Sequence, residues 1–340
     1  MVRHPPGLAA QGRQGQVQAL TPDQVRLLLS EAGRAAVSVA SLLDLSTAAR
    51  LRAAESVRAA YGLDRPVYEQ YTSYMGKVAR FDLGVSIQTQ RPVSEEIGRR
   101  FPATVELATT AMLLAIAIGI PLGFVAGRRP GSWLDNASTV GSLLGVAIPV
   151  FALGFLLKYV FAVKLGILPS QGRQDVTLTT DHPTGFFVLD GLITGDLPAA
   201  WDALKHLVLP AVALGTIPLA IITRITRAAV QEVSNEDFVR TAEAKGMTRQ
   251  VVTRRHVLRN ALLPVVTIIG LQTGLLLSGA VLTEKVFGFG GIGSFMADAV
   301  FERDFPVLQG GILFLAVVFV LVNLLVDISY GVIDPRVRAT

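Results

Sequence analysis

Residues 238–264 read FVRTAEAKGMTRQVVTRRHVLRNALLP, and this basic, polar stretch determines how the rest of the chain is interpreted. Helix-forming residues lie on both sides of Gly246, and long hydrophobic segments flank the stretch. The pattern predicts two helices that meet at Gly246 and are held at a membrane surface by the spans on either side. A rigid projection of this kind suits docking into a groove on a soluble partner.

Local signals set the expected limits of the two helices. Ser234 or Asn235 is in position to cap the first helix, which would run through Lys245. Thr248 is in position to cap the second helix, which would run toward Asn260. Glycine is the residue that most often ends a helix, so the turn is expected between these two caps.

Composition indicates an integral membrane protein. Of the 340 residues, 51% are hydrophobic and only 17% are charged, and the mean hydropathy is positive. The absence of cysteine excludes a disulfide framework, a thiolate metal site and a cysteine nucleophile. The net charge is +5, but the basic residues lie between hydrophobic segments, as membrane topology requires. We therefore expect no nucleic-acid partner.

Hydrophobic segments predict an all-α integral membrane protein with five visible transmembrane helices, because a span must satisfy its own backbone hydrogen bonds. The predicted spans are residues 103–127, 137–163, 204–230, 261–283 and 307–332, with Pro149 expected to kink the second. Residues 164–202 are expected to form an exposed loop, since they are irregular and rich in Gly, Pro and Asp.

The same pattern divides the chain into four parts. Residues 1–60 form an Ala/Arg-rich N-terminal tail whose best apolar run, 35–49, is too short for the about 20 residues that a span needs. Residues 61–102 form an amphipathic, extracytoplasmic segment. Residues 103–332 form the transmembrane domain, which contains the loop 231–260, and residues 333–340 form a C-terminal tail.

Lysine and arginine predict the orientation, because they are enriched on the cytoplasmic side of membrane proteins. One side collects Arg128, Arg129, Arg227, Arg240, Lys245, Arg249, Arg254, Arg255, Arg259, Arg336 and Arg338, and the other Lys164, Arg173, Lys205, Lys285 and Arg303. The loop 231–260 and the C-terminus are therefore expected in the cytoplasm. Five spans would leave the Arg-rich N-terminal region outside, a conflict that a missing sixth, more N-terminal span would resolve.

The loop resembles the EAA loop of ABC-importer permeases, in its dipeptide/oligopeptide (B-type) variant. Arg240-Thr241-Ala242 stands at the E-A-A position and Gly246 at the glycine. The acid is replaced by Arg240, and the later Ile and Pro of the general pattern by His256 and Arg259.

Other segments extend the resemblance over roughly residues 60–338. Residues 283–293, TEKVFGFGGIG, resemble the T-E-x-V-F-x-x-x-G-x-G segment of that family. Residues 323–336 resemble its N-x-x-x-D-x-x-Y-x-x-x-D-P-R ending, and residues 63–102 the segment that follows its first transmembrane helix. That first helix is absent here, which is the main departure from the family.

The resemblance implies a non-catalytic, multi-pass subunit of the inner membrane. Its implied partners are a second homologous permease, two ATPase subunits that hydrolyse ATP with Mg, and an extracytoplasmic binding protein that delivers substrate onto residues 164–202 and 285–305. No cofactor is expected on this chain. The expected ATPase-coupling residues are Phe238, Val239, Arg240, Thr241, Ala242, Gly246 and Met247, most of which should present a docking surface.

Polar residues inside the spans are candidates for the translocation path, because such groups usually face a cavity or a neighbouring helix. The candidates are Gln272, Thr273, Ser278 and Asn323. Hydrogen bonding between helices is the alternative explanation. Glu106 and Asp327 lie nearer the ends of spans, and Lys158 and Arg224 are interpreted as snorkelling anchors.

Several other functions are disfavoured by the motifs. Residues 288–293 satisfy G-x-G-x-x-G only formally, since no βαβ unit surrounds them. The sequence contains no P-loop, no H-E-x-x-H and no G-x-S-x-G. The alternatives are a permease for nickel or another small solute and, from other classes, a secondary transporter or a membrane-embedded enzyme. Inverted repeats would support a secondary transporter, and none is visible.

Overall fold

A computed structural model describes residues 64–333, divided into two compact units at Phe81 and Asp82. In the first unit the described element is helix α1, Val67–Val78. The predicted tail at 1–60 and residues 334–340 lie outside the described residues.

The second unit is built from helices. They are α2 Val93–Arg128, α3 Trp133–Ala147, α4 Val150–Leu157 with its π-helical continuation Lys158–Lys164, α5 Phe187–Ile193, α6 Leu197–Ser234, α7 Asp237–Ala244, α8 Arg249–Val251 with the π-helix Val252–Leu258, α9 Arg259–Gly279, α10 Val281–Phe287, α11 Ile292–Glu302 and α12 Phe305–Ile333.

Within the described residues, four helices are long and apolar enough to cross a membrane. They are Val93–Arg128, Leu197–Ser234, Arg249–Leu277 and Phe305–Val326, and a fifth is the bent pair Trp133–Ala147 and Val150–Lys164. The all-α membrane fold is therefore confirmed, with the helices of all five predicted spans present.

Pro149 breaks the second span more sharply than a kink, since the two halves meet at 101°. Proline has no N–H to donate, and its ring disfavours the helical conformation of the residue before it. Ile148 accordingly has an extended backbone (φ −81°, ψ 122°), and Pro149 caps the helix that follows.

Helices α2 and α6 form the centre of the second unit, where small residues let their backbones approach closely. Gly119, Gly123 and Gly127 recur every fourth residue and therefore share one face of α2. A Cβ added at Gly127 would lie 2.8 Å from the carbonyl oxygen of Arg227, and one at Gly123 would lie 2.7 Å from the Cβ of Thr226. The contact leaves no room for a side chain at these positions.

Two spans begin ten or more residues earlier than hydropathy predicts. Helix α2 starts at Val93 rather than residue 103, and its polar first turns contain the ion pairs Glu95–Arg99 and Glu96–Arg100 at i,i+4 spacing. The fourth span starts at Arg249 rather than residue 261. Helices continue beyond the apolar residues because their hydrogen bonds do not depend on lipid.

The prediction of an exposed loop over residues 164–202 is wrong for its centre. This segment contains α5 and the start of α6, and Asp190 within it is fully buried. A Cβ at Gly191 would lie 2.6 Å from the backbone nitrogen of Ala200, so α5 packs directly on α6.

Candidate functional site

The loop between α6 and α9 turns at Gly246, as predicted. Helix α7 ends at Ala244, and Gly246 adopts a left-handed conformation with φ +76°. Its N–H donates to the carbonyl oxygen of Glu243 at 2.9 Å, while the Met247 N–H donates to that of Ala242 at 3.4 Å. Only glycine takes this φ without strain.

The predicted caps of the first helix, Ser234 and Asn235, are wrong. The Ser234 hydroxyl donates to the carbonyl oxygen of Val230 at 2.6 Å, and the Asn235 side-chain amide donates to that of Gln231 at 2.9 Å. Both side chains therefore bond backward to the end of α6. Glu236 occupies the cap position of α7 and makes no side-chain capping bond.

Thr248 occupies the predicted cap position of the second helix, but its side chain makes no capping bond. From Arg249 the chain is helical through a π-helical turn, Val252–Leu258, into α9. The second helix of the loop is thus the beginning of the next span, not a separate element ending near Asn260.

Val239 and Ala242 face inward, with 4% of each residue exposed. They pack with residues of α6 and of the next span in a cluster that also contains Ala229, Val230, Val252, Val257 and Ala261. The prediction that these two side chains form part of an exposed surface is therefore wrong. They are three residues apart on one face of α7, and that face seats the helix on its neighbours.

The other predicted coupling residues form an exposed ridge, which we define as Phe238, Arg240, Thr241, Gly246 and Met247. Phe238 is 42% exposed and Met247 36% exposed, and both lie in the polar loop rather than on a membrane span. A Cβ added at Gly246 would meet nothing within 4 Å. The ridge presents apolar side chains beside an open turn, an arrangement suited to contact with another protein.

An ion pair ties Arg173, which lies in the 164–202 segment outside the membrane spans, to Glu106 of α2. The Arg173 guanidinium donates to Glu106 Oε2 and to the carbonyl oxygen of Gly185, each at 2.7 Å. Glu106 Oε1 accepts from the Val188 N–H at 2.9 Å. The guanidinium also lies 3.8 Å from the ring centroid of Phe187. Burial lowers the pKa of Arg173 from its usual value, although the nearby carboxylates oppose this.

Asp190 organises the next part of the segment from a fully buried position. Its Oδ1 accepts from the Thr184 backbone N–H at 3.1 Å and from the Thr184 hydroxyl at 2.5 Å. His182 Nδ1 lies 3.9 Å from Asp190 Oδ2, and the His182 ring stacks on Phe187 at 3.6 Å. Charge and aromatic contacts therefore order a segment that looks irregular in sequence.

Glu284 anchors the glycine-rich turn to α2. Its carboxylate accepts from the Thr104 hydroxyl at 2.6 Å and from the Ser294 N–H at 2.8 Å. The Thr104 oxygen in turn accepts from the Ile292 N–H at 3.0 Å. Burial raises the pKa of Glu284 above its ordinary value, and the hydrogen bonds it accepts oppose the shift. A Cβ at Gly291 would collide with this carboxylate.

Sequence reasoning missed the roles of Thr104, Arg173, Asp190 and Glu284. Thr104, Asp190 and Glu284 are polar residues next to apolar sequence, a signal that by itself names no partner, whereas Arg173 lies among polar residues and gives no such signal. Lys158, interpreted as a snorkelling anchor, donates to the carbonyl oxygen of Val286 at 3.2 Å instead. Arg224 is exposed and lines a cavity of about 290 Å³ between α3 and α6.

The path candidates lie in two neighbouring helices. Gln272 and Thr273 are half-buried in α9, and Asn323 is half-buried in α12. The Thr273 hydroxyl donates to the carbonyl oxygen of Ile269 at 2.7 Å, so it is satisfied within its own helix. Ser278 belongs to α9. Their part in a translocation path stays a prediction.

Comparison with known proteins gives consistent matches over most of the chain. The family described as "Binding-protein-dependent transport system inner membrane component" matches residues 119–339. The dipeptide transport system permease protein DppB of Alkalihalophilus pseudofirmus is 46% identical over 277 residues, covering 82% of this chain and 83% of the relative. The protein of the same name from Escherichia coli K12 is 47% identical over 280 residues, covering 82% and 83%.

A relative with another named substrate and a solved structure also match. The glutathione transport system permease protein GsiC of Escherichia coli O6:H1 is 39% identical over 284 residues, covering 84% of each chain. A chain of the MetNI methionine ABC transporter, solved in inward-facing conformations, superposes with a TM-score of 0.51 at 18% identity, covering 70% of this chain and 96% of that one. This last match supports the fold alone.

Proposed function

This chain belongs to the family of inner membrane components of binding-protein-dependent transport systems, and from that premise we propose that it forms half of the translocation path of an ATP-driven importer of short peptides. It is a permease subunit, a multi-pass membrane protein of ABC transporters. The peptide substrate is supported by relatives at 46% and 47% identity that are named for dipeptide transport, and by a more distant one named for the tripeptide glutathione.

The exposed ridge is the proposed contact with the ATPase subunits. Two features support it: Phe238 and Met247 expose apolar surface beside the open Gly246 turn, and Val239 and Ala242 fix α7 to the ends of two spans. A push on the ridge would therefore move those spans as one body. ATP and Mg would be bound and hydrolysed by the partners. The distribution of Lys and Arg supports a cytoplasmic location for the loop and the C-terminus.

The opposite end of the helices is the proposed landing site of the binding protein. Residues 164–202 and 285–305 both connect to α2, through Arg173–Glu106 and through the Ile292 N–H, which donates to the Thr104 hydroxyl oxygen. A binding protein seated on both segments would thus act on a single helix. Substrate would then pass along a path between this chain and a homologous second permease, with Gln272, Thr273, Ser278 and Asn323 facing it.

The exposed ridge carries the coupling proposal, and cysteine crosslinking tests it. Because the chain contains no cysteine, Phe238→Cys and Met247→Cys each introduce a single reactive thiol. In the assembled transporter, a short bifunctional reagent should link both variants to an ATPase subunit. Val176→Cys is the control, since Val176 is exposed within residues 164–202. The proposal fails if the ridge gives no ATPase crosslink or if Val176 gives as much.

Uptake measurements test the substrate separately. Proteoliposomes that contain the two permeases, the ATPases and the binding protein should accumulate a labelled dipeptide when ATP is enclosed. A tripeptide should compete, and Ni²⁺ should not. Accumulation driven by an ion gradient without ATP, or transport of Ni²⁺ but of no peptide, would overturn the proposal.

A further inference from the structure

A basic groove lies where two spans end beside the loop. It has a volume of about 430 Å³ and lies between the last turns of α2 and the helix that starts at Arg249. Its lining residues are Phe124, Arg128, Arg249, Gln250, Thr253, Arg254 and Leu258. Three guanidinium groups thus border one groove, together with a hydroxyl, an amide and two apolar side chains.

Within the part of the chain that the structure describes, the three arginines have no counter-charge. Among residues 64–333, no carboxylate lies within ion-pair distance of Arg128, Arg249 or Arg254. The lining of the groove contains no Asp or Glu, whereas the adjacent groove, which shares Arg128 and Arg249, includes Glu243. The acid-free groove is therefore the one that favours an anion.

An apolar face of α2 runs away from this groove. Leu113, Ala117, Pro121, Phe124 and Arg128 are spaced by four, four, three and four residues, so they lie on one face of the helix. Leu113, Ala117 and Pro121 are exposed, and Phe124 at the groove is half-buried. This face belongs to a membrane span, and Arg128 is the last residue of that helix. Positive charge at the end of an apolar helix face matches the anionic headgroup and the acyl chains of a phospholipid.

We propose that this groove binds the phosphodiester of an anionic phospholipid, with the acyl chains along the exposed face of α2. Basic pockets between transmembrane helices are known binding sites for anionic lipid headgroups. Guanidinium groups suit this ligand, because their planar N–H donors pair with two phosphate oxygens at once. Bound lipid would hold the start of the Arg249 helix, and hence the turn at Gly246, against the membrane surface. The inference is independent of the transported substrate.

Native mass spectrometry of the assembled transporter, titrated with phosphatidylglycerol, tests the proposal. The triple variant Arg128→Gln, Arg249→Gln, Arg254→Gln should bind phosphatidylglycerol about a hundredfold more weakly than the wild type. The matched control removes the same charge outside the groove, at the exposed Arg129, Arg255 and Arg259, each to Gln. It should bind as the wild type does. A triple Arg→Lys variant of the groove keeps the charge but loses the paired N–H donors, so its affinity should lie between those of the wild type and the Gln triple.

Competition distinguishes a lipid from a free phosphate. Phosphatidylcholine, inorganic phosphate and glycerophosphoglycerol should each compete poorly with phosphatidylglycerol. Equal losses in the two Gln triples would show diffuse charge attraction and overturn the proposal. It would also be overturned by equal affinity for glycerophosphoglycerol, or by lipid that binds the permease pair but is excluded once the ATPase subunits assemble. These measurements report lipid binding, so they test the lipid site even if the transported substrate is not a peptide.

Discussion

Arg173 and Glu106 form an ion pair of 2.7 Å across 67 residues of sequence, with side chains only 12% and 9% exposed. Removing one member of a buried pair leaves the other charge uncompensated. We expect Arg173→Met to lower the free energy of unfolding by about 3–5 kcal/mol. Reversible unfolding by SDS in mixed micelles measures this quantity.

Two variants control this experiment. Arg173→Met combined with Glu106→Gln removes both charges and should recover part of the lost stability, because neither side chain is then an unpaired buried ion. Arg99→Met breaks the exposed pair with Glu95 on the same helix and should cost no more than about 0.5 kcal/mol. Similar losses for Arg173 and Arg99 would contradict the importance of burial.

A substitution at Gly246 can test the proposed coupling separately from folding. We expect Gly246→Val to abolish peptide uptake and peptide-stimulated ATP hydrolysis while membrane insertion is retained. A side chain there would hold the partner away, and a non-glycine residue at this φ adds about 1–2 kcal/mol of local strain. Uptake into proteoliposomes and ATPase assays of the assembled transporter measure the effect.

Gly131 provides the matched control, since its φ is +79° and a Cβ there would also meet nothing within 4 Å. Gly131→Val imposes a comparable backbone cost between α2 and α3, outside the loop. It should leave coupling largely intact. If Gly131→Val abolished uptake as completely as Gly246→Val does, backbone strain alone would account for the loss.

Glu284 should make stability depend on pH. Burial raises the pKa of its carboxyl in the folded protein above the ordinary value of 4.5, so folding favours the protonated form. That contribution is fully present below the ordinary pKa and is lost as pH rises through the folded pKa. Glu284→Gln cannot ionise. The thermal midpoint of the wild type, measured against that of this variant, should therefore fall as pH increases from 4.5. The opposite slope would show that the hydrogen bonds from Thr104 and Ser294 outweigh burial.

The contact of α2 with α6 should not tolerate a larger residue at Gly123. A Cβ there would lie 2.7 Å from the Cβ of Thr226, so Gly123→Leu must force the helices apart. Overpacking of this kind costs about 1–3 kcal/mol or more. Gly141→Leu, in α3, is the control because a Cβ there meets nothing within 4 Å. A lower thermal midpoint for Gly123→Leu alone is the expected result, and equal midpoints would contradict the close packing.

Features that depend on nearby residues could be predicted from sequence. Apolar runs located the spans, Pro149 located the break in the second, and Gly246 located the turn of the loop. These outcomes follow from lipid solubility and from backbone geometry within a few residues.

Features that depend on residues distant in sequence could not be predicted from the sequence. Ser234 and Asn235 have the right chemistry for caps, but their side chains donate instead to carbonyl oxygens in the preceding turn of α6. Val239 and Ala242 are buried by residues of two other helices. The bond from Thr104 to Glu284 spans 180 positions, and no periodicity encodes it. The proposed path residues belong to the same class, because their surroundings in the proposed transporter would include a second chain.

Helix α6 contains 38 residues, which at about 1.5 Å per residue gives a length of about 57 Å. A bilayer with its headgroups measures only about 40–45 Å. If the excess is divided between its two ends, roughly one turn protrudes into water at each. The ridge is then carried on a short stalk just clear of the headgroups. A soluble ATPase subunit could contact the ridge there without bringing its own hydrated surface into the lipid.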